Sequence, residues 1–302
     1  MEKGETMMSK HMTAARVWSA CTLVAGCWLA GMAPVRAQDG LRGTIQIKGS
    51  DTMVNLAQAW AEAFMTQHPG VTVAVTGGGS GTGIAALISG TCDLATSSRK
   101  ITPKEIRLAE RQGHAPNEIV AALDGIAVVV HPNNPVKQLT LEQLAKIFTG
   151  VIRNWRDVGG PDQEIVLLSR EVNSGTHVYF KEHVLGSVTN GPKEFAPEAL
   201  LLPSSQAIAD EVASNPAAIG YYGMGYQNPK NAVMAIARTD KDPYIPPSEE
   251  TVRSGAYPIS RPLLLYSRGD LKGAVKAFVE FALSSQGQAV VHAIDFVPLA
   301  AR

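Results

Sequence analysis

The chain has little cysteine, few aromatic residues and no excess of charge. Its 302 residues hold 3 cysteines, and Cys21 and Cys27 both fall in the first 37 residues. Only Cys92 lies beyond them, so that part of the chain cannot close a disulfide on itself. The formal charge is +0, with 27 Lys and Arg against 27 Asp and Glu and no basic block. This excludes a protein that holds a polynucleotide by neutralising many phosphates. Repeats and low-complexity tracts are missing too, and 45% hydrophobic with 18% charged residues is ordinary globular composition, not collagen, coiled coil or disorder. His68, His114, His131, His177, His183 and His292 form no H-x-x-x-H pair and no Cys/His cluster, so no metal site is expected. What remains has room for one large or two medium domains.

The chain opens with an address. Lys3, Lys10 and Arg16 precede the apolar run 17–33, which ends in Val35-Arg36-Ala37. The pattern predicts a cleaved signal peptide over 1–37 and a periplasmic destination. The run is shorter than the roughly 20 residues of a comfortable membrane span. A second reading is Val24-Ala25-Gly26-Cys27, a lipobox-like string that would anchor the protein by a lipid on Cys27. Loss of 1–37 takes four of 27 bases and two of 27 acids, leaving 23 and 25, a net of −2.

From Gly43 onward short β-rich runs alternate with helical periodicity, the pattern of an α/β protein with a largely parallel sheet. Strands are expected at 45–47, 71–76 and 94–96. Helices are expected at 54–67, 84–89 and 103–112, the last opened by the capping box Thr102-Pro103-Lys104-Glu105. Cys92, between helix and strand, reads as a small core residue. The apolar run 126–130 reads as a strand buried on both faces. A second α/β unit follows, with helices at 140–148, 178–184 and 205–214 and strands at 165–168 and 218–222. Residues 243–258 read as a surface excursion, and 263–266, 275–284 and 296–299 as strand, helix and extended tail. The tail is too short for a domain, so it returns to the first unit. Lobe 1 is then 40–125 plus 262–302 and lobe 2 is 126–261, joined by two crossing strands, with the ligand expected beyond the carboxyl ends of the strands.

Four loops combine glycine or hydroxyl residues between a strand and a helix: Gly49-Ser50-Asp51-Thr52, Gly77-Gly78-Gly79-Ser80-Gly81-Thr82-Gly83, Ser97-Ser98-Arg99 and Asn173-Ser174-Gly175-Thr176. A helix start carries unpaired N–H groups and about half a positive charge, and glycine lets the backbone come close. Each loop alone could be simple capping; together they point to a shared anion. The glycine loop fails G-x-S-x-G at Thr82 and the phosphate-loop pattern at Ile84. It fits G-x-G-x-x-A, but the acid a dinucleotide site needs is replaced by Arg99. Arg170 could fork onto an oxyanion or pair with Glu171; Arg99 poses the same choice or tethers its own loop. Asp51 could accept a hydrogen bond from a protonated anion or serve as a helix-start acid. His177 could add a donor. It is also the one candidate base for Ser80 or Ser174 as a nucleophile, which keeps a secreted phosphatase or serine hydrolase open.

Along the chain run Gly49-Ser50-Asp51-Thr52-Met53, the glycine loop 77–83, Ser97-Ser98-Arg99, Ile147-Phe148-Thr149-Gly150 with Asn154-Trp155, Ser174-Gly175-Thr176, and Tyr257-Pro258-Ile259 before Arg261-Pro262. In this order they resemble the PstS-like phosphate-binding proteins of bacterial phosphate ABC importers, over about residues 44–299. The resemblance implies a two-lobed type II periplasmic-binding fold, each lobe a mixed, mostly parallel sheet flanked by helices. It also implies inorganic phosphate as ligand, a membrane permease as partner, no cofactor, no catalysis and, by default, a monomer. Ligand contacts would fall on Thr52, Met53 (mainly backbone), Ser80, Ser98, Arg170, Ser174, Gly175 and Thr176. Two positions depart from the family. Ser98 stands where an aspartate accepts the phosphate proton, and Val172, beside Glu171, stands where an acid flanks the arginine. Asp51 is the nearest replacement for the acceptor. Sulfate as the ligand, and a sensing or adhesive role, stay open as alternatives.

Overall fold

A computed structural model describes residues 40–187, 191 and 193–300; the expected signal peptide and Cys27 lie outside the described residues. The described residues belong to one compact unit. In chain order the elements are β1 (Gly43–Gly49), α1 (Val54–Gln67), β2 (Val71–Thr76), α2 (Ser80–Ser89), β3 (Leu94–Ser97), α3 (Pro103–Arg111), β4 (Pro116–Val130), β5 (Gln138–Thr140), α4 (Leu141–Phe148), β6 (Val166–Arg170) and α5 (Gly175–His183). There follow β7 (Leu200–Leu202), α6 (Ser205–Ser214), β8 (Ala218–Gly223), β9 (Ala232–Val233), β10 (Ala235–Ala237), α7 (Glu249–Arg253), β11 (Ser260–Arg268), α8 (Gly273–Leu283) and α9 (Ser285–Ala293). No helix among the described residues is long and apolar enough to cross a membrane.

The architecture is the two-lobed α/β one expected, built on a curled, mixed sheet. Strands run in the order β2-β1-β3-β11-β4-β8-β6-β7, with β9 also on β4. Parallel pairs join β1 to β2 and β3 at one end, and β6 to β7 and β8 at the other. Between these blocks lie the two long antiparallel strands β4 and β11. Up to Gly125, β4 pairs with β11; from Ile126 it pairs with β8. One strand thus serves both blocks. The sequence marked only 126–130 of it, because Asn117, Glu118 and Gly125 interrupt the apolar pattern.

Other differences share a cause: poor local propensity overridden by packing. Helix α2 begins at Ser80 and α5 at Gly175, about one turn earlier than glycine- and threonine-rich segments suggest. The region 243–258 is not wholly superficial. It holds α7, capped by Ser248 and Thr251, and it buries Val252 and Tyr257, whose hydroxyl donates to the Ile126 carbonyl at 2.6 Å. Helix α9 was hidden behind Ser284 and Gly287; the Gly287 carbonyl accepts from the Trp60 indole at 2.8 Å. Trp60, Phe64 and Phe278 fill the core around the first block, while Phe148, Phe180 and Tyr221 fill it around the second. Phe180 stacks on Tyr221 at 3.9 Å.

Candidate functional site

All four loops singled out in the sequence meet at the ends of the strands. Gly79 N–H donates to the Gly49 carbonyl and Ser50 N–H to the Thr96 carbonyl, both at 2.9 Å, which stitches the starts of α1 and α2 to the end of β3. Gly79 has φ +96, a backbone that favours glycine. A Cβ there would also lie 2.7 Å from the Asn173 carbonyl oxygen. The loop before α5 is therefore seated directly on the glycine loop, and Gly81 N–H donates to that same carbonyl at 3.0 Å.

The hydroxyls form a cluster. Ser98 Oγ lies 3.0 Å from Ser50 Oγ and 3.3 Å from Ser80 Oγ, and Ser98 N–H donates to Ser80 Oγ at 3.0 Å. Opposite them, Thr176 Oγ1 meets Thr52 Oγ1 at 2.8 Å. Ser50, Thr52, Ser80, Ser98, Ser174 and Thr176 are all buried. The first-turn N–H groups of α2 and α5 have no partner within their own helices. Between these turns Gly175 lies so close that a Cβ on it would collide with Ser80 Oγ and stand 2.6 Å from Ser98 Oγ. Met53 sends its side chain into the core and leaves only its backbone at the site.

Arg170, at the end of β6, is 1% exposed. Its guanidinium donates to the carbonyls of Leu202 (3.3 Å) and Pro203 (2.9 Å) and to Ser205 Oγ (2.9 Å). Its acid partner is Asp51, at 3.1 Å. Asp51 Oδ2 also accepts from Ser205 N–H and Oγ. Burial pulls the Arg170 pKa down and Asp51 opposes this. Glu171 and Val172 are exposed; the acid that meets the arginine comes instead from the short turn Asp51–Met53 before α1. Arg99 tethers its own loop through Glu105, at 2.7 and 2.9 Å.

His177 is buried, and its Nδ1 faces Ser169 Oγ at 3.2 Å, which in turn meets the Tyr221 hydroxyl at 2.7 Å. Its ring thus serves Ser169; its backbone N–H donates to the capping Ser174 Oγ. Burial lowers its pKa.

Sequence reasoning missed a second arginine. Arg261 on β11 and Asp124 on β4 are both fully buried as side chains and meet at 2.7 Å through Nη2, with Nε at 2.9 Å from the same oxygen. Arg261 also donates to the Ser98 carbonyl and to Thr176 Oγ1, each at 3.0 Å. Burial pushes the Asp124 carboxyl up and the guanidinium opposes the rise. The available signal was a lone acid in Ala121-Ala122-Leu123-Asp124 and a lone base in Ile259-Ser260-Arg261. Opposite charges inside two apolar strands have to find each other.

Comparison with known proteins puts this geometry in context. A family model described as a PBP superfamily domain matches residues 34–286. The phosphate-binding protein PstS of Pseudomonas aeruginosa is 30% identical over 317 residues, covering 98% of this chain and 97% of its own. PstS of Bacillus subtilis is 30% identical, covering 87% and 83%. Among solved structures, an ABC transporter substrate-binding protein with bound phosphate from Clostridium perfringens superposes with a TM-score of 0.75 at 32% identity, over 85% of this chain and 100% of that one. An ABC-type phosphate transport receptor from Vibrio cholerae gives 0.68 at 32%, over 84% and 100%.

Proposed function

Because the chain belongs to the PstS-like phosphate-binding proteins of the PBP superfamily, we propose that it captures inorganic phosphate between its two lobes outside the cytoplasm and delivers it to the permease of an ABC importer. The observation that carries this reading is the meeting of the α2 and α5 starts with a buried hydroxyl cluster, beside which Arg170 is tied to Asp51, the neighbour of Thr52. Helix N–H groups and hydroxyls are ready-made donors for a tetrahedral oxyanion.

We assign the contacts to Thr52, the Met53 backbone, Ser80, Ser98, Arg170, Ser174, Gly175 and Thr176. The lobes are taken as 40–125 with 262–302, and 126–261, with the hinge where β4 changes partner. Phosphate docks on the lobe bearing Thr52, Ser80 and Ser98, and Arg170 with the first turn of α5 then arrives from the other. The ligand replaces the Thr52–Thr176 and Ser80–Ser98 bonds with charge-assisted ones, stronger in a water-poor cleft. Contacts made only when the lobes are shut shift the equilibrium to the closed form that a permease reads. No catalytic group is assigned; the engagement of the His177 ring with Ser169 favours a binder over a hydrolase.

Asp51 takes a role other than proton acceptor. Its Oδ2 is held by Arg170 and Ser205, and we assign it to orienting the arginine. The phosphate proton is left to hydroxyl acceptors such as Ser98, which can donate or accept. Isothermal titration of phosphate-stripped protein with phosphate and with sulfate tests this. We expect phosphate to bind, sulfate to compete weakly, and Asp51→Asn to weaken both anions together. No heat with phosphate would sink the reading. Loss of discrimination in Asp51→Asn alone would restore it as the proton acceptor.

A further inference from the structure

The pair Asp124–Arg261 has no place in the contact set above, yet five segments meet on it. Arg261 lies on β11 and Asp124 on β4, where β4 changes partner. Arg261 donates to the Ser98 carbonyl after β3 and to Thr176 Oγ1 in the first turn of α5; Asp124 Oδ1 accepts from Met224 N–H after β8, at 3.0 Å. The side chains of both partners are 0% exposed. A buried ion pair is a poor stabilising device, since well-packed apolar residues of similar size commonly do as well or better. A charge kept there calls for another reason.

That reason lies in the direction of one hydrogen bond. A guanidinium has donors and no acceptor, so in its contact with Thr176 the hydroxyl oxygen must accept. The Thr176 oxygen then has one lone pair occupied, and its single hydrogen is left to point elsewhere. In this structure its other partner is Thr52 Oγ1 at 2.8 Å. Arg261 cannot swing away. Nε and Nη2 grip Asp124, Nη1 is on Ser98, and the Tyr179 ring lies 5.7 Å from the guanidinium carbon.

Resting on the phosphate reading, we propose that Arg261, clamped by Asp124, is a positioning residue for oxyanion binding: it fixes the Thr176 hydroxyl as a donor to the ligand. The positive charge behind that oxygen also polarises its O–H and strengthens the bond it gives. An anion that only accepts thereby meets an oriented donor in place of a freely turning hydroxyl. The same clamp ties the Ser98 loop, α5 and the end of β8 to the two crossing strands, so the donor is aimed only when these segments are docked together.

A double-mutant cycle on the full protein, read by phosphate titration, tests the proposal. Thr176→Val should weaken phosphate binding about tenfold, the loss of a charge-assisted bond. Arg261→Lys, which keeps the charge but loses the fork, should weaken it comparably with Thr176 present and by less than about twofold in the Thr176→Val background, because coupled residues are not additive. The apolar pair Asp124→Leu with Arg261→Met leaves the Met224 N–H and the Ser98 carbonyl without their partners, so it should melt lower and weaken phosphate at least as much as Thr176→Val; it carries the test if Arg261→Lys is unstable. Equal losses from Arg261→Lys in both backgrounds, or full affinity in the apolar pair, would overturn the positioning role while leaving phosphate capture intact. A wild type that gives no phosphate heat would instead remove the functional reading, and this proposal with it.

Discussion

Gly175 offers the sharpest test of closure. It is the first residue of α5, and a Cβ added to it would collide with Ser80 Oγ and lie 2.6 Å from Ser98 Oγ and 2.9 Å from the Ser80 Cβ. These neighbours are buried and bonded to one another, so they have little room to give. Overpacking of this kind costs about 1–3 kcal/mol, which is roughly a five- to 150-fold loss in affinity if all of it falls on the closed form. The fold itself should not suffer, because the clash exists only where the two faces meet. Alanine at a helix start also restricts the unfolded chain, a gain of about 0.4–1 kcal/mol where the backbone tolerates it. Gly175→Ala should therefore melt at or slightly above the wild-type temperature without phosphate and lose most of the thermal shift that phosphate gives. Titration calorimetry supplies the dissociation constant directly. Affinity within twofold of wild type would refute the reasoning, since the docked faces could not then be the binding geometry. A lower melting temperature without ligand would place the clash in the fold instead of in closure.

Two further expectations concern groups outside the contact set. Burial pushes the Cys92 thiol up to about 11, so iodoacetamide at neutral pH should leave it unlabelled in the native protein and label it fully in denaturant; rapid native labelling would contradict its buried, protonated state. Glu105 is raised by burial, but hydrogen bonds from Arg99 and Thr102 outweigh this and hold it below its ordinary 4.5. A depressed carboxylate stabilises the fold above its unfolded pKa and loses that contribution as pH falls through the folded one. Wild-type melting temperature should thus drop faster below pH 4.5 than that of Glu105→Gln, and parallel acid profiles would show that the pair contributes nothing.

Much of this was legible before any coordinates. Helix 54–67, strand 71–76 and helix 205–214 follow strong periodicity between clear stops, and the structure has them at the same limits. The capping box at Thr102 and Glu105 is present with both its bonds. What failed to show was structure that depends on distant partners. Ser80 to Gly83 and Gly175 to His177 are weak helix formers; they become helix because the turn is seated between opposing loops. Likewise Tyr257 looked superficial among prolines and charges, and only the Ile126 carbonyl gives its hydroxyl a buried partner. Arg261 reads only as part of a motif and Asp124 is passed over, since a lone charge in an apolar strand signals that a partner exists and a pairing across 137 residues leaves nothing local to say which.

The charges of the site carry the last step. Arg170 is matched by Asp51 and Arg261 by Asp124, at 3.1 and 2.7 Å, so these four side chains sum to no net charge. An anion brought among them is not met by a surplus of cations. What is left to hold it is direction: helix-start N–H groups, hydroxyls aimed by their own partners, and guanidinium edges fixed by acids. Such a site needs its acids as much as its bases, because an arginine stripped of its carboxylate is left as an uncompensated buried charge. That explains how a chain with Val172 in place of the flanking acid can still fix Arg170. In our assignment the acid comes from Asp51 on the opposite lobe, whereas Leu202, Pro203 and Ser205 hold the guanidinium from its own lobe, so closure would add the counter-charge to an arginine whose direction is already set.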